Sequence, residues 1–247
     1  MNRVWYPLCA GLLGLGLWQA VVWITGAPHF ILPDPWRVAK AGYENRALIA
    51  EHTLVTATEV ALGLVIGSVL GALTAIQLAA SPRLARLTLP MLVFTQAVPV
   101  FALAPILTVW LGYGMASKIA MAVLIIYFPV TSAFHDGLTR VSPALLDLAQ
   151  TMGASPSRVM RRIRIPHALP SLASGLKLAA VYAPIGAVIG EWVGSSKGLG
   201  YLMLLANGRA KVDLMFASLI ALAVLTVVLH KSVSLLAQRL NEISRIE

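Results

Sequence analysis

Residues 54–79 hold a single charged side chain, Glu59, in 26 positions. A helix needs about 20 mostly apolar residues to cross the hydrocarbon core of a bilayer. No water is available there, so the backbone must bond to itself, and a helix does this within one segment. A run of this length and character is read as a membrane-spanning helix. Five more apolar runs follow the same logic, at about 7–25, 89–111, 119–134, 176–193 and 214–236. Pro99 and Pro105 lie inside the third and Pro129 inside the short fourth. Such prolines are tolerated where neighbouring protein or cavity water satisfies the freed carbonyls. The expected fold is an all-α membrane protein of six transmembrane helices, with residues 1–247 as one domain. The first run follows Arg3 but lacks a convincing small-residue cleavage site, so it is read as an uncleaved helix rather than a secretory signal.

Composition narrows the function. Charged residues make up 12% of the chain and hydrophobic ones 58%, where a soluble domain carries about 25% charge. The net charge of +9 raises the possibility of nucleic acid. The basic residues, however, fall in short connectors between apolar runs, not in an aromatic-laced patch, and this excludes that partner. Cys9 is the only cysteine, which excludes a disulfide framework and leaves a small packing residue. No His, Cys and carboxylate cluster has metal-ligand spacing, and no nucleophile–base pair is visible. The stretch from Gly194 to Gly198 with Lys197 only mimics a phosphate loop, because its spacing is wrong. The chain is therefore not expected to be an enzyme or to hydrolyse ATP.

Six spans place both termini on one side. With the termini go the 81–88 connector and a polar island at about 136–174, and this side holds 12 of the 19 Lys and Arg residues. The other side, counted with Lys118 in its connectors, holds seven. Cytoplasmic loops carry the excess of Lys and Arg, so the island and both termini are expected in the cytoplasm.

The island reads as two short helices. Ser142-Pro143 is an N-cap followed by proline at the first helical position. Leu145, Leu148, Ala149 and Met152 then share a face, and Gly153 fits a C-terminal stop. Ser155-Pro156 repeats the start signal, Val159, Met160 and Ile163 oppose Arg158, Arg161 and Arg162, and Pro166 ends the second helix. From patterning alone such a knob either lies on anionic headgroups or is gripped by another protein.

The island resembles the cytoplasmic loop of permease subunits of binding-protein-dependent ABC importers. That loop reads Glu-Ala-Ala, three residues, Gly, nine residues, Ile, one residue, Leu-Pro. The matching positions are Asp147-Leu148-Ala149, Gly153, Ile163 and Ile165-Pro166, with Asp for Glu, Leu for Ala and Ile for Leu as departures. Gly153-Ala154-Ser155 also matches the family's break. Ile31-Leu32-Pro33-Asp34-Pro35, Gly190-Glu191-Trp192 and Gly198-Leu199-Gly200-Tyr201 extend the likeness over nearly the whole chain. The resemblance implies the type I importer fold and a coupling loop that includes Ser142, Leu145, Asp147, Leu148, Ala149, Met152, Gly153, Ala154, Ser155, Ile163 and Pro166. It implies a homodimer in a bacterial inner membrane, two ATPase subunits that carry ATP and magnesium, an extracytoplasmic solute-binding protein, and no cofactor on this chain. A secondary transporter or channel needs no docking knob and usually shows an internal repeat or ion-coupling carboxylates in broken helices, which makes it a remote alternative.

Charges inside spans are costly unless they face a partner or a cavity. His52, Thr56, Glu59, Gly63, Gly67 and Gly71 recur at helical steps, and glycines four apart let helices approach closely. Glu59 either bonds a neighbour across this seam or, with His52, lines the mouth of a substrate path. Glu191 stands beside a second stripe of Gly186, Gly190 and Gly194. It is either a charge in water at the membrane edge or part of the path or its outer gate. Tyr182 and Gln96 are weaker candidates for the path. The chain resembles the branch containing alkanesulfonate, taurine, nitrate and thiamine-precursor permeases. Within it, His52-Thr53, Thr58-Glu59 and the 185–194 stretch resemble the thiamine-pyrimidine members. An acid on the path would suit a neutral or cationic heterocycle better than an anionic sulfonate, and the sulfonate-type cargo is the alternative.

Overall fold

The computed structural model describes residues 5–246, so Arg3 lies outside the described residues. Every regular element among them is helical. In chain order they are α1 (Trp5–Thr25), α2 (Pro35–Glu44), α3 (Arg46–Ala80), α4 (Pro82–Ala97), α5 (Val100–Leu111), α6 (Met115–Thr139), α7 (Pro143–Thr151), α8 (Pro156–Val159), α9 (Ile165–Gly194), α10 (Leu199–Gly208) and α11 (Val212–Ile246). Four stretches are long and apolar enough to cross a bilayer: Arg46–Ala80, Met115–Thr139, Pro156–Gly194 and Val212–Glu242. The bent pair α4–α5 passes the same test as a unit, and α1 adds a further apolar helix of 21 residues.

Two helices differ from the sequence reading, and proline explains both. The third run, expected as one helix over about 89–111, is broken: α4 and α5 meet at 96°. Pro99 starts α5 from the cap position and holds Val98 extended at φ −82°, ψ 119°, as a residue before proline prefers. Pro166, expected to end the second island helix, does not. The helix runs on through it and through Pro170 to Gly194. The turn just before it, Met160–Arg164, is a π-helix in which Ile165 N bonds Met160 O. This wider turn absorbs the hydrogen bond that proline cannot donate.

The core is built around α6, which packs on α3 and α9, while α11 covers α9. Side chains at these seams are small or branched: Val60 and Leu64 from α3, Ile126 and Val130 from α6, and Ala179, Ala180, Ala183 and Ala187 from α9. Both glycine stripes meet α6. A Cβ on Gly63 would lie 2.6 Å from Ala122 Cβ, and one on Gly67 2.6 Å from Ile126 Cγ1. One on Gly71 would lie 3.1 Å from Tyr127 O. From the other side, Gly186 faces the Ala122 backbone at 2.7 Å and Gly190 the Lys118 Cα at 3.0 Å. Gly194 packs on Thr108 and Tyr113 instead.

Gly186 meets backbone, which cannot swing aside. Gly186→Leu is expected to cost about 1–3 kcal/mol or more from overpacking, whereas Gly14→Ala, with nothing within 4 Å, is expected to be neutral. Thermal midpoints of the two variants in detergent check this.

Candidate functional site

Three of the polar residues singled out in the membrane runs, His52, Thr56 and Glu191, converge on the start of α10. The first N–H groups of any helix have no partner within it. Here side chains from α3 and α9 receive them. Gly198 N donates to His52 Nδ1 at 2.9 Å, Leu199 N to Thr56 Oγ1 at 2.8 Å, and Gly200 N to Glu191 Oε2. Thr56 Oγ1 in turn donates to Glu191 Oε1 at 2.6 Å. Glu191 is 1% exposed and sits at the positive pole of α10, where a carboxylate is favoured. Gly198 has φ +111°, and a Cβ there would overlap the Glu191 carboxyl. Both features demand glycine. His52 also stacks on Tyr201 with centroids 5.9 Å apart.

Lys118 answers this arrangement with the opposite sign. The sequence counted it in an outer connector; the structure buries it to 2% exposure. Its ammonium donates to the carbonyls of Tyr113, Gly114 and Gly194. Gly194 is the last residue of α9, so a cation sits at a negative helix pole. Lys118 also lies within electrostatic reach of Glu59 and Glu191. Glu59 is 2% exposed and beside Glu191, and its Oε2 has no hydrogen-bond partner. Nearer the surface, an ion pair of Lys197 and Glu51 at 2.8 Å ties the 195–198 turn to α3. That carboxylate holds the Lys197 ammonium above the usual lysine range. His52, Glu59 and Glu191 are thus brought together and withdrawn from solvent within the protomer. Gln96 is exposed where α4 ends, and Tyr182 is 39% exposed on α9. Neither joins the cluster. Lys118 was missed, although a lone lysine opening an apolar run that faces two intramembrane carboxylates is a readable signal. Among the described residues no three His, Cys, Asp or Glu side chains are placed to hold a metal ion.

The island is the second site. α7 carries Leu145, Leu148 and Met152 at 43, 55 and 77% exposure, while Ala149 turns inward at 7%. It ends in a Schellman motif: Gly153 N bonds Gln150 O at 2.8 Å and Ala154 N bonds Ala149 O at 2.9 Å. Gly153 has φ +72° with nothing near its would-be Cβ, so the glycine serves the backbone turn and fills no packing role. Asp147 is exposed. Ser142 and Ser155 occupy N-cap positions without side-chain cap bonds, each followed by proline. Ile163 and Pro166 belong to the π-turn and the start of α9 and are half-buried.

Lys118→Met leaves two carboxyls without their cation and three carbonyls without a donor. Removing one partner of a buried charge set costs about 3–5 kcal/mol. A large drop in the thermal midpoint is expected, recovered in part by adding Glu59→Gln; a double-mutant cycle of midpoints measures the coupling.

The family described as binding-protein-dependent transport system inner membrane component matches residues 64–242. A probable ABC transporter permease protein of Haemophilus influenzae is 50% identical over 94% of each chain. The formylaminopyrimidine transport permease protein ThiX of Halalkalibacterium halodurans is 35% identical over 79% of this chain and 78% of its own. The riboflavin transport system permease protein RibX of Chloroflexus aurantiacus is 33% identical over 93% of this chain and 86% of its own. In fold, the chain is similar to a structure of the MetNI methionine ABC transporter in inward-facing conformations. The TM-score is 0.61 at 20% identity, over 83% of this chain and 97% of the other. A multi-pass helical bundle, an exposed apolar helix closed by glycine, and this family match over most of the chain lead to one conclusion: the chain belongs to the permease subunits of binding-protein-dependent ABC importers, inner-membrane proteins of the type I fold.

Proposed function

We propose that two copies of this chain form the translocation path of an importer and that α7 is the helix its ATPase subunits grip. The observation that carries this is the exposed face of Leu145, Leu148 and Met152 on a helix held at its end by a glycine turn. Apolar side chains facing cytoplasmic water gain by burial in a partner's groove. A short capped helix transmits displacement that a flexible loop would absorb. In this reading both termini and the 136–174 loop face the cytoplasm. Two ATPases bind ATP and magnesium, and an extracytoplasmic binding protein delivers the solute to the outer face. Gln96 and Tyr182 line the path, and His52, Glu59 and Glu191 shape its outer gate by holding α10 in place.

For the cargo we infer a thiamine-precursor pyrimidine or a similar heterocycle. Two relatives above 30% identity, a formylaminopyrimidine permease and a riboflavin permease, support a heterocycle. The alternative is a sulfonate, taurine or nitrate cargo; a sulfonate permease at 27% identity and a taurine permease at 26% speak for the first two.

Leu148→Asp places a charge in the docking face and is expected to abolish co-purification of the ATPase while leaving the permease folded. Retained ATPase in that variant overturns the assignment of α7. Gly153→Val forces a β-branched residue to φ +72°, a strain of about 1–3 kcal/mol. It is expected to leave ATP hydrolysis running while transport stops, measured side by side in proteoliposomes. Uptake of radiolabelled aminopyrimidine, competed by riboflavin or taurine, separates the two cargo readings.

A further inference from the structure

A cleft of about 730 Å³ lies behind α7, on the side away from Leu145, Leu148 and Met152. Its walls come from the last turn of α3, the start of α4, the inner face of α7, and the helix from Pro156 onward. Ile76, Leu146, Val159 and Met160 make it apolar, and Arg161 and Arg164 bring two guanidinium groups to it. No carboxylate lines it. Arg86 adds a third cation close by, since its Nε bonds the carbonyl of Pro82, a residue of the wall. Arg164 donates one N–H to Ala79 O at 3.3 Å and has others to spare.

Its depth is set by the chain. The cleft opens where the apolar run of α3 ends, at Ile76 to Ala80, and where α4 turns back at Pro82. That is headgroup level at one surface of the bilayer. An apolar trough with cations and no acids at this level matches one kind of molecule, with a phosphate at one end and a hydrocarbon chain at the other. Charge complementarity selects the anionic class, because an uncharged-net headgroup such as phosphatidylcholine brings its own cation into a site already rich in arginine. There is also a mechanical reason for an occupant. α7 makes no substantial packing contact with another helix of the protomer. A helix meant to carry force needs backing, and the space behind it is this cleft.

We propose that the cleft between α7 and the α3–α4 corner is a binding site for an anionic phospholipid of the cytoplasmic leaflet. Arg161 and Arg164 bind its phosphate, its acyl chain lies along Ile76, Val159 and Met160, and its presence braces α7. The inference takes from the proposed topology only that this end of the bundle faces the cytoplasmic leaflet. Its test does not involve ATPase coupling, so either reading can fail alone.

The permease is purified with its ATPase in mild detergent, stripped of lipid, and titrated with dioleoylphosphatidylglycerol or dioleoylphosphatidylcholine under native mass spectrometry. Each basic residue near an anionic lipid contributes about fivefold in affinity. Phosphatidylglycerol is therefore expected to bind at least about fivefold more tightly than phosphatidylcholine. The preference falls by a similar factor in Arg161→Gln and survives in Arg158→Gln, whose side chain is exposed and outside the cleft. Ala80→Trp fills the trough and abolishes binding with every cation in place; should it fail to fold, the two arginine variants still decide. Equal binding of the two lipids, equal loss in both arginine variants, or displacement by inorganic phosphate overturns the proposal. So does an Ala80→Cys thiol that bound ATPase, rather than phosphatidylglycerol, protects from labelling.

Discussion

The closeness of α6 to its two neighbours is the constraint on which the rest of the bundle depends. Apolar side chains gain nothing from leaving lipid for protein, so helices in a bilayer associate through contact and polar bonds. Contact requires near approach, and here it comes from glycine on both sides of α6: Gly63, Gly67 and Gly71 on α3, and Gly186 and Gly190 on α9. The same closeness brings side chains of three helices within bonding range where α9 gives way to α10. Glu59 and Glu191 would be costly alone in that environment. Placed with Lys118 and with the open ends of two helices, Glu191 becomes a fastener, and Glu59 lies beside it within reach of the ammonium. The carboxylate meets the N–H groups of α10 and the ammonium meets the carbonyls that close α9 and the α5–α6 turn. Opposite charges at opposite helix poles satisfy backbone groups that have no water to turn to.

The end of the bundle that carries α7 follows a different design. There the helices are short, α7 stands clear of the bundle, and its apolar face is left open. What holds it is backbone geometry: proline at its first turn and the glycine turn at its last. The π-turn at Met160–Arg164 then feeds without a break into α9. Displacement of the loop therefore reaches the core seam of α9 along a single helix, and that seam leads to the buried cluster at Glu191. One rigid element thus connects the α7 loop with the buried cluster at Glu191.

Much of this was legible in the chain. The apolar runs mark the helices because a bilayer admits few alternatives, and the glycine stripes mark the seams because only close packing needs them. The Ser-Pro starts and Gly153 marked the ends of α7 because caps act within a few residues. The failures have a common character. Pro99 and Pro166 look alike in sequence, yet one breaks a helix at 96° and the other is carried through by a π-turn. A proline removes one donor; whether the chain bends or widens depends on what packs nearby. Lys118 was read as an outer charge because it opens a run, and its burial depends on the positions of Gly190, Tyr113 and Gly194.

By itself, then, the amino-acid sequence determined the class of fold, most of the helices, the seams and the ends of α7, since these rest on length, period and local caps. Tertiary structure alone decided the roles of Glu59, Glu191, His52 and Lys118. A buried charge is defined by its partners, and here those partners are backbone groups and side chains as far as 146 residues away. The same holds for the cleft behind α7, whose walls come from two stretches far apart in the chain, 76–82 and 146–165. No local pattern records which surfaces will meet, because that is settled by how whole helices pack.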